Sequence, residues 1–232
     1  MNHLYPEQHS ANDNLAEFGK YLEVYFRDIP HTMKRIATEE TTKFVTSKMS
    51  HVKWVDSRWQ VLDLAMKSIK ERDGLWIELG MYSGQTINYI AERNPDIKIL
   101  GLDSFQGLPE NWRPEYQKGE FSLKKIPNVC KNVEVHAGWF SDTLPEILKN
   151  DRRGLSFLHI DCDLYSSTKA AFDLLSERIN PGTVFVFDEF FNYPGWKKHE
   201  YKAFNELITS KKLKFKYLTY TRNHSQCAIL FT

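Results

Sequence analysis

The spacing of apolar and polar residues changes character near residue 74. Before it, residues 14–26 and 57–69 place apolar side chains three and four positions apart, the spacing of amphipathic helices. Asp56 or Ser57 stands where the second of these would need its N-cap. No strand-like alternation is visible there, so residues 1–73 are predicted to be a helical region. From residue 74 onward, short apolar runs alternate with amphipathic segments, the mark of a parallel sheet covered by helices. Strands are predicted at residues 75–79, 98–102, 133–136, 155–160 and 183–187, with helices at 84–93, about 142–149, 166–179 and 196–210. Residues 214–220 and 226–231 read as two further strands joined by a hairpin. The fold class is therefore α/β. A mostly parallel seven-stranded sheet over residues 74–232 ends in an antiparallel pair, with an antiparallel strand expected at the edge.

Candidate chemistry collects where these strands end. The first runs into Glu78-Leu79-Gly80-Met81-Tyr82-Ser83-Gly84-Gln85-Thr86 and then a helix. Gly80 offers a backbone without a Cβ where a ligand approaches, and Gly84 would allow close strand–helix packing. The helix start offers free N–H groups for a carboxylate. Glu78 can meet a cationic amine or orient the loop. The glycine spacing is not G-x-G-x-x-G, which argues against a dinucleotide pyrophosphate. The second strand ends in Asp103 and Ser104, where an acid can accept from ribose hydroxyls. The third leads to Gly138-Trp139-Phe140-Ser141. Gly138 permits close approach, Trp139 and Phe140 are candidates either to flank a flat base or to fill the core, and Ser141 could read the base's edge. The fourth strand ends in His159-Ile160-Asp161-Cys162-Asp163 and the fifth in Asp188-Glu189. Adjacent parallel strands would gather these acids at one sheet edge. Carboxylates crowded together repel unless a cation joins them, and oxygen ligands suit a hard divalent ion, Mg²⁺ above all. His159, inside an apolar strand, reads as a core or supporting histidine. His199, near the start of the last helix, is either a candidate base or a solvent-facing helix residue.

Composition narrows the partners. At 232 residues the chain suits one α/β domain with added elements. The 31 basic and 30 acidic residues leave a net charge of +1, so there is no electrostatic case for nucleic acid. Lys211, Lys212 and Lys214 read as a solvated helix end. Three cysteines in no zinc-like spacing read as reduced thiols of a cytoplasmic protein. The N-terminal stretch lacks the pattern of a secretory signal, and no run nears the roughly 20 apolar residues needed to span a bilayer. Neither nucleic acid nor membrane is expected as a partner. Residues 107–132, with Pro109, Pro114 and Pro127, form a long loop of the kind that is functional or mobile.

Together these segments resemble the class I methyltransferases with a Rossmann-like fold. The run from Glu78 to Thr86 is similar to the cofactor loop of catechol-type O-methyltransferases. Leu102-Asp103-Ser104-Phe105-Gln106-Gly107-Leu108-Pro109-Glu110, Gly138-Trp139-Phe140 with Asp142-Thr143-Leu144-Pro145, and Asp161-Cys162-Asp163-Leu164-Tyr165-Ser166-Ser167-Thr168 are closer to the macrocin O-methyltransferase (TylF-like) family. The resemblance spans about residues 74–205. It implies S-adenosylmethionine as methyl donor, a divalent metal such as Mg²⁺, and a small-molecule hydroxyl acceptor, often on a sugar of a natural product. Glu78, Gly80, Tyr82, Ser83, Thr86, Asp103, Ser104, Gly138, Trp139, Phe140, Ser141 and Asp161 would hold the cofactor. Asp161, Asp188 and Glu189 would hold the metal. Catechol-type enzymes place a lysine base where Leu164 stands, so Asp161 or His199 would take the acceptor's proton. The N-terminal helices of such families cover the substrate or make a dimer contact, so a homodimer is expected. The competing readings are an NAD-dependent oxidoreductase, which the glycine spacing and final hairpin oppose, and a non-catalytic binding protein, which the clustered acids oppose.

Overall fold

The computed structural model describes residues 11–232. Residues 1–10, within the stretch inspected for a secretory signal, lie outside the described residues. Two helices come first, α1 (Ala11–Arg27) and α2 (Ile29–Lys48). Asp28 caps α2 by accepting the His31 N–H at 2.8 Å, and Pro30 sits in the first turn, where its missing N–H leaves no bond unmade. α1 leaves Leu15, Phe18, Tyr21 and Val24 exposed, whereas α2 turns Ala37, Thr41 and Phe44 inward. No described helix is long and apolar enough to cross a membrane.

Then follow β1 (Trp54–Val55), α3 (Arg58–Ser68), β2 (Leu75–Leu79), α4 (Gln85–Arg93), β3 (Ile99–Asp103) and β4 (Val133–Ala137). After them come α5 (Phe140–Asn150), β5 (Leu155–Ile160), α6 (Tyr165–Leu175), β6 (Val184–Phe187), α7 (Glu200–Ser210), β7 (Phe215–Thr221) and β8 (Cys227–Phe231). Short 3₁₀ turns over Ser176–Arg178 and Trp196–Lys198 interrupt what periodicity presents as continuous helices. α5 starts at Phe140, ahead of the predicted residue 142, with Trp139 at its N-cap.

The strands form one eight-stranded sheet in the order β1-β7-β8-β6-β5-β2-β3-β4. The count exceeds the expected seven by β1, a two-residue strand parallel to β7 through Trp54↔Tyr220 and Val55↔Thr221. Two residues are too few for alternation to show. The antiparallel strand is also not at the edge. β8 runs against both β6 and β7 and lies between them. Its residues Cys227, Ala228 and Ile229 are buried in succession, as an interior strand covered on both faces requires. The helical region before residue 74 is only partly separate, because β1 joins the sheet and α3 packs on β6, β7 and β8.

Every residue of β2, β5 and β6 is buried. Alternate side chains serve two apolar layers: Ile77, Leu79, Leu158, Ile160, Phe185 and Phe187 face one cluster with α2, α5, α6 and α7. Trp76, Phe157, Val184 and Val186 face the other, with α3 and α4. The three cysteines are unpaired, Cys162 and Cys227 buried. Strand order reverses at β2, which pairs with β3 on one side and β5 on the other. In open α/β sheets a crevice forms outside the carboxyl ends of the strands at such a switch point.

Candidate active site

A cavity of about 270 Å³ opens at the switch point. Its lining is built from the turns after β2, β3, β4, β5 and β6, the loop that follows β3, and the start of α3.

The turn after β2 is held by its neighbours. Gly80 has φ +82°, and a Cβ there would lie 2.0 Å from the Asp161 carbonyl oxygen. Its glycine is thus required by the β5 tip packed against it, rather than by ligand approach. Gly84 has φ +79° at the α4 N-cap, and the nearest atoms to an added Cβ are 3.5 Å away. That glycine is needed for its left-handed backbone, not for close packing. Close strand–helix contact falls instead at Gly101, where a Cβ would meet Ile87 at 2.5 Å. Asp103 lashes this turn to β3: its Oδ2 accepts the N–H groups of Met81 and Tyr82 at 3.0 and 2.8 Å, and its Oδ1 accepts Phe105 at 2.7 Å. It also lines the cavity. A carboxylate has about four acceptor positions, so it retains capacity for hydroxyls.

Gly80, Tyr82, Asp103, Ser104, Gly138, Trp139, Phe140 and Asp161 line this one cavity, as their strand-tip positions predict. Four other residues expected to meet the cofactor do not line it. Glu78 is fully buried beneath the turn, where it accepts from Thr86 Oγ1 at 3.0 Å and pairs with His159 Nδ1 at 2.8 Å. Glu78 and His159 are cross-strand neighbours, so this pair fastens β2 to β5 while Thr86 brings in α4. Thr86 is buried with them. Ser83 is exposed outside the cavity, and so is Ser141, whose hydroxyl meets Asp142 at 3.2 Å.

The β5 and β6 tips bring Asp161, Asp163, Asp188 and Glu189 into the same cavity. His159, Asp161 and Asp188 place one ligand atom each within 4.8 Å of one another. The compact group therefore has an imidazole where Glu189 was expected, because His159 points to the same side of the strand tips as these acids. Asp188 already accepts from two partners, Arg58 on Oδ2 at 2.8 Å and Gln226 on Oδ1 at 3.1 Å. Glu200, the buried first residue of α7, joins the tips: its two oxygens accept the N–H groups of Asp163 and Glu189, both at 3.3 Å. Crowding has its electrostatic result. Burial, then the neighbouring Asp188, raises Asp161 well above the usual carboxylate range. The same two causes lift Asp163 to about 7 and Glu189 to about 8. These acids take up a proton or a cation more readily than free carboxylates.

His199 does not reach the cavity. It stands at the α7 N-cap behind Trp112, edge-on at 6.2 Å between ring centroids. Burial and then Arg113 hold its pKa below the ordinary histidine value. The candidate base is thus screened by an aromatic wall. The loop that supplies it was expected to be functional or mobile, but which of its residues form the wall was not legible in the sequence. Leu108, Trp112, Arg113, Tyr116 and Phe121 come from the loop after β3, which is pinned at many points, among them Leu108 N–H to Glu120 and Leu123 N–H to Phe105. The aromatic residues in an otherwise polar loop were the available signal. Arg58 gave none, because its partner lies 130 positions away.

Residues 77–190 match a family described as a methyltransferase domain. No curated protein matches the chain. Among solved structures, the chain is similar to the calicheamicin methyltransferase CalS11 at TM-score 0.61 and 19% identity, over 96% of this chain and 94% of that one. An apo structure of CalS11, described as a TDP-rhamnose 3'-O-methyltransferase, gives TM-score 0.55 and 16% identity over 99% of both chains. The O-methyltransferase NovP gives 0.57 and 21%, covering 75% of this chain and 77% of its own. At these identities the likeness is one of fold.

Proposed function

We propose that the chain, residues 77–190 of which match a methyltransferase-domain family, moves the methyl group of S-adenosylmethionine to a hydroxyl of a small molecule. The observation that carries this reading is the single cavity that joins Asp103, Gly138, Trp139 and Phe140 to the carboxylates of the β5 and β6 tips. In this reading Asp103 accepts from a ribose, Trp139 and Phe140 flank a flat base, and the turn at Gly80 borders the methionine part. The acceptor then lies toward Asp161 and Asp188. A sugar hydroxyl is the preferred acceptor, in keeping with the likeness of the Asp103, Gly138 and Asp161 segments to macrocin O-methyltransferases and with the TDP-rhamnose specificity stated for CalS11.

The reaction is an in-line displacement. The acceptor oxygen forms a bond to the methyl carbon as the bond to sulfur breaks, leaving S-adenosylhomocysteine and a methyl ether. The cavity must hold that oxygen near ~3 Å from the methyl carbon. The hydroxyl proton must go to a base, and with His199 behind Trp112 that role falls to Asp161, a contribution of about 10²–10⁴-fold in general. The loop after β3 and its aromatic residues exclude water.

Asp161, Asp188 and His159 fit a divalent cation, and Glu189 lines the same cavity. An imidazole beside two carboxylates suits ions that accept nitrogen as well as oxygen, so Mn²⁺ fits at least as well as Mg²⁺. Such an ion would lower the acceptor hydroxyl's pKa and fix its orientation. Arg58 already supplies positive charge at Asp188, so an ion and Arg58 would share that carboxylate.

Incubation with methyl-labelled S-adenosylmethionine and a panel of free and nucleotide-linked sugars, with and without Mg²⁺ or Mn²⁺, tests the reading. Label should appear in a methyl ether, and Asp161→Ala should abolish most of it. Transfer that Asp161→Ala leaves unchanged would remove the proposed base and metal roles together.

A further inference from the structure

One group of side chains runs from the cavity wall, at Trp112 and Arg113, to the residues packed behind it, Tyr193 and His199. Trp112, Arg113, Tyr193 and His199 pack as a unit. The Arg113 guanidinium lies 3.8 Å from the Trp112 ring centroid and 5.0 Å from that of Tyr193. Trp112 meets Tyr193 edge-on at 5.9 Å, and Tyr193 lies 6.3 Å from His199. Each of the four carries a buried polar atom with no hydrogen-bond partner among the described residues: Trp112 Nε1, Arg113 Nε, the Tyr193 hydroxyl and His199 Nδ1. Trp112 and Tyr193 are only 8% and 4% exposed. A buried donor left unpaired is destabilising. Four such atoms in one cluster gather unpaired polar groups at and behind one wall of the cavity.

The chemistry of the cluster is that of donors. Tryptophan and arginine nitrogens only donate, and tyrosine and histidine can. Arg113 forms no ion pair among the described residues, whereas Arg58, the other arginine in the cavity, is paired with Asp188. Glu110, three positions before it on the loop, accepts from Ser166 at 2.6 Å instead. Arg113 is moreover held between aromatic rings, which fix the plane of its fork before any ligand arrives.

We propose that this cluster is the subsite for an anionic group of the methyl acceptor, a carboxylate or a phosphate taken by the Arg113 fork. The inference rests on the methyltransferase reading and sharpens it: the acceptor is a hydroxyl compound bearing an acid group, such as a sugar phosphate, a nucleotide-linked sugar or a uronic acid. Trp112 and Arg113 line the same cavity as Asp161 and Asp188. An anion is attracted at Arg113, whereas the cavity's other arginine, Arg58, is already paired with Asp188. That difference turns the acceptor's charged end to the loop and a hydroxyl to the methyl group. Planar bidentate recognition of carboxylate or phosphate is what an arginine fork provides and a lysine does not.

The test is a calorimetric and tryptophan-fluorescence titration of the protein saturated with S-adenosylhomocysteine, using glucose 6-phosphate, glucuronate and glucose. Both anions should bind and glucose should not, and the stronger anion identifies phosphate or carboxylate as the natural group. Arg113→Gln should weaken the anions by about tenfold or more while S-adenosylhomocysteine binds within about twofold of the original. Equal binding of glucose and its anionic derivatives overturns the proposal. So does anion binding that Arg113→Gln does not change, or no anion binding below about 10 mM. Inorganic phosphate titrated into the unloaded protein and its Arg113→Gln variant reads the subsite by itself. A protein that fails to bind S-adenosylhomocysteine but shows Arg113-dependent phosphate binding would therefore sink the methyltransferase reading and spare the anion site.

Discussion

The two ends of the cavity are built differently. At the end proposed for the cofactor, each lining residue sits within a few positions of a strand tip: Gly80 and Tyr82 after β2, Asp103 and Ser104 at β3, Gly138 to Phe140 after β4. At the end proposed for the acceptor, Asp188 is met by Arg58 from α3 and Gln226 from the β7–β8 hairpin, and the wall comes from Trp112 and Arg113. The first end is local structure repeated along a sheet, and the second is assembled from distant segments. Recognition of a common cofactor can be tied to the sheet, whereas recognition of a particular acceptor is placed on parts able to vary without disturbing it.

Substitutions can break or sharpen this contrast. The largest effect is expected beneath the cofactor turn. Glu78→Ala leaves His159 and Thr86 without their buried partner, and loss of one member of a buried polar pair costs about 3–5 kcal/mol. Urea denaturation should show that loss. A change below about 1 kcal/mol would mean that Glu78 does not fasten the turn. Next, Asp103→Ala should weaken S-adenosylhomocysteine about 100-fold by calorimetry, because its charge-assisted bonds vanish with the brace on Met81 and Tyr82. Affinity within a factor of three of the original, roughly 0.7 kcal/mol, would move the ribose elsewhere.

Smaller effects separate geometry from crowding. Gly80→Ala meets both a left-handed backbone and the Asp161 carbonyl, and should cost about 2–4 kcal/mol. Gly84→Ala meets only the backbone term, about 1–2 kcal/mol. Equal losses in thermal melts would contradict the packing of β2 against β5 at Gly80. Ser57→Ala removes the α3 cap, whose hydroxyl accepts the Gln60 N–H at 3.4 Å, and should cost about 1 kcal/mol without touching cofactor affinity. If it did weaken the cofactor, α3 would belong to both ends of the cavity.

The same division governs what the amino-acid order disclosed. β2 and β5 fall on the predicted residues 75–79 and 155–160, because a strand buried on both faces writes itself as an apolar run. Asp103, Gly138 and Asp161 were legible because each ends such a run. Glu78 was visible as an acid at a strand tip, but its direction was not. Only the cross-strand register with His159 shows that it points under the turn instead of into the cavity. β8 was found as a strand yet misplaced, since its position between β6 and β7 depends on which neighbour the hairpin folds against. Arg58 and Gln226 could not be found by spacing, because nothing within a few residues of them records Asp188 as their partner.

The most direct test of the account is a calorimetric titration of the purified protein with S-adenosylhomocysteine, with NADH as the control. The cavity described here predicts saturable binding of one S-adenosylhomocysteine per chain at about micromolar affinity and none of NADH. Binding of NADH in its place, or of neither, would contradict the central claim that Asp103 and the turns around it form a site for the methyl donor.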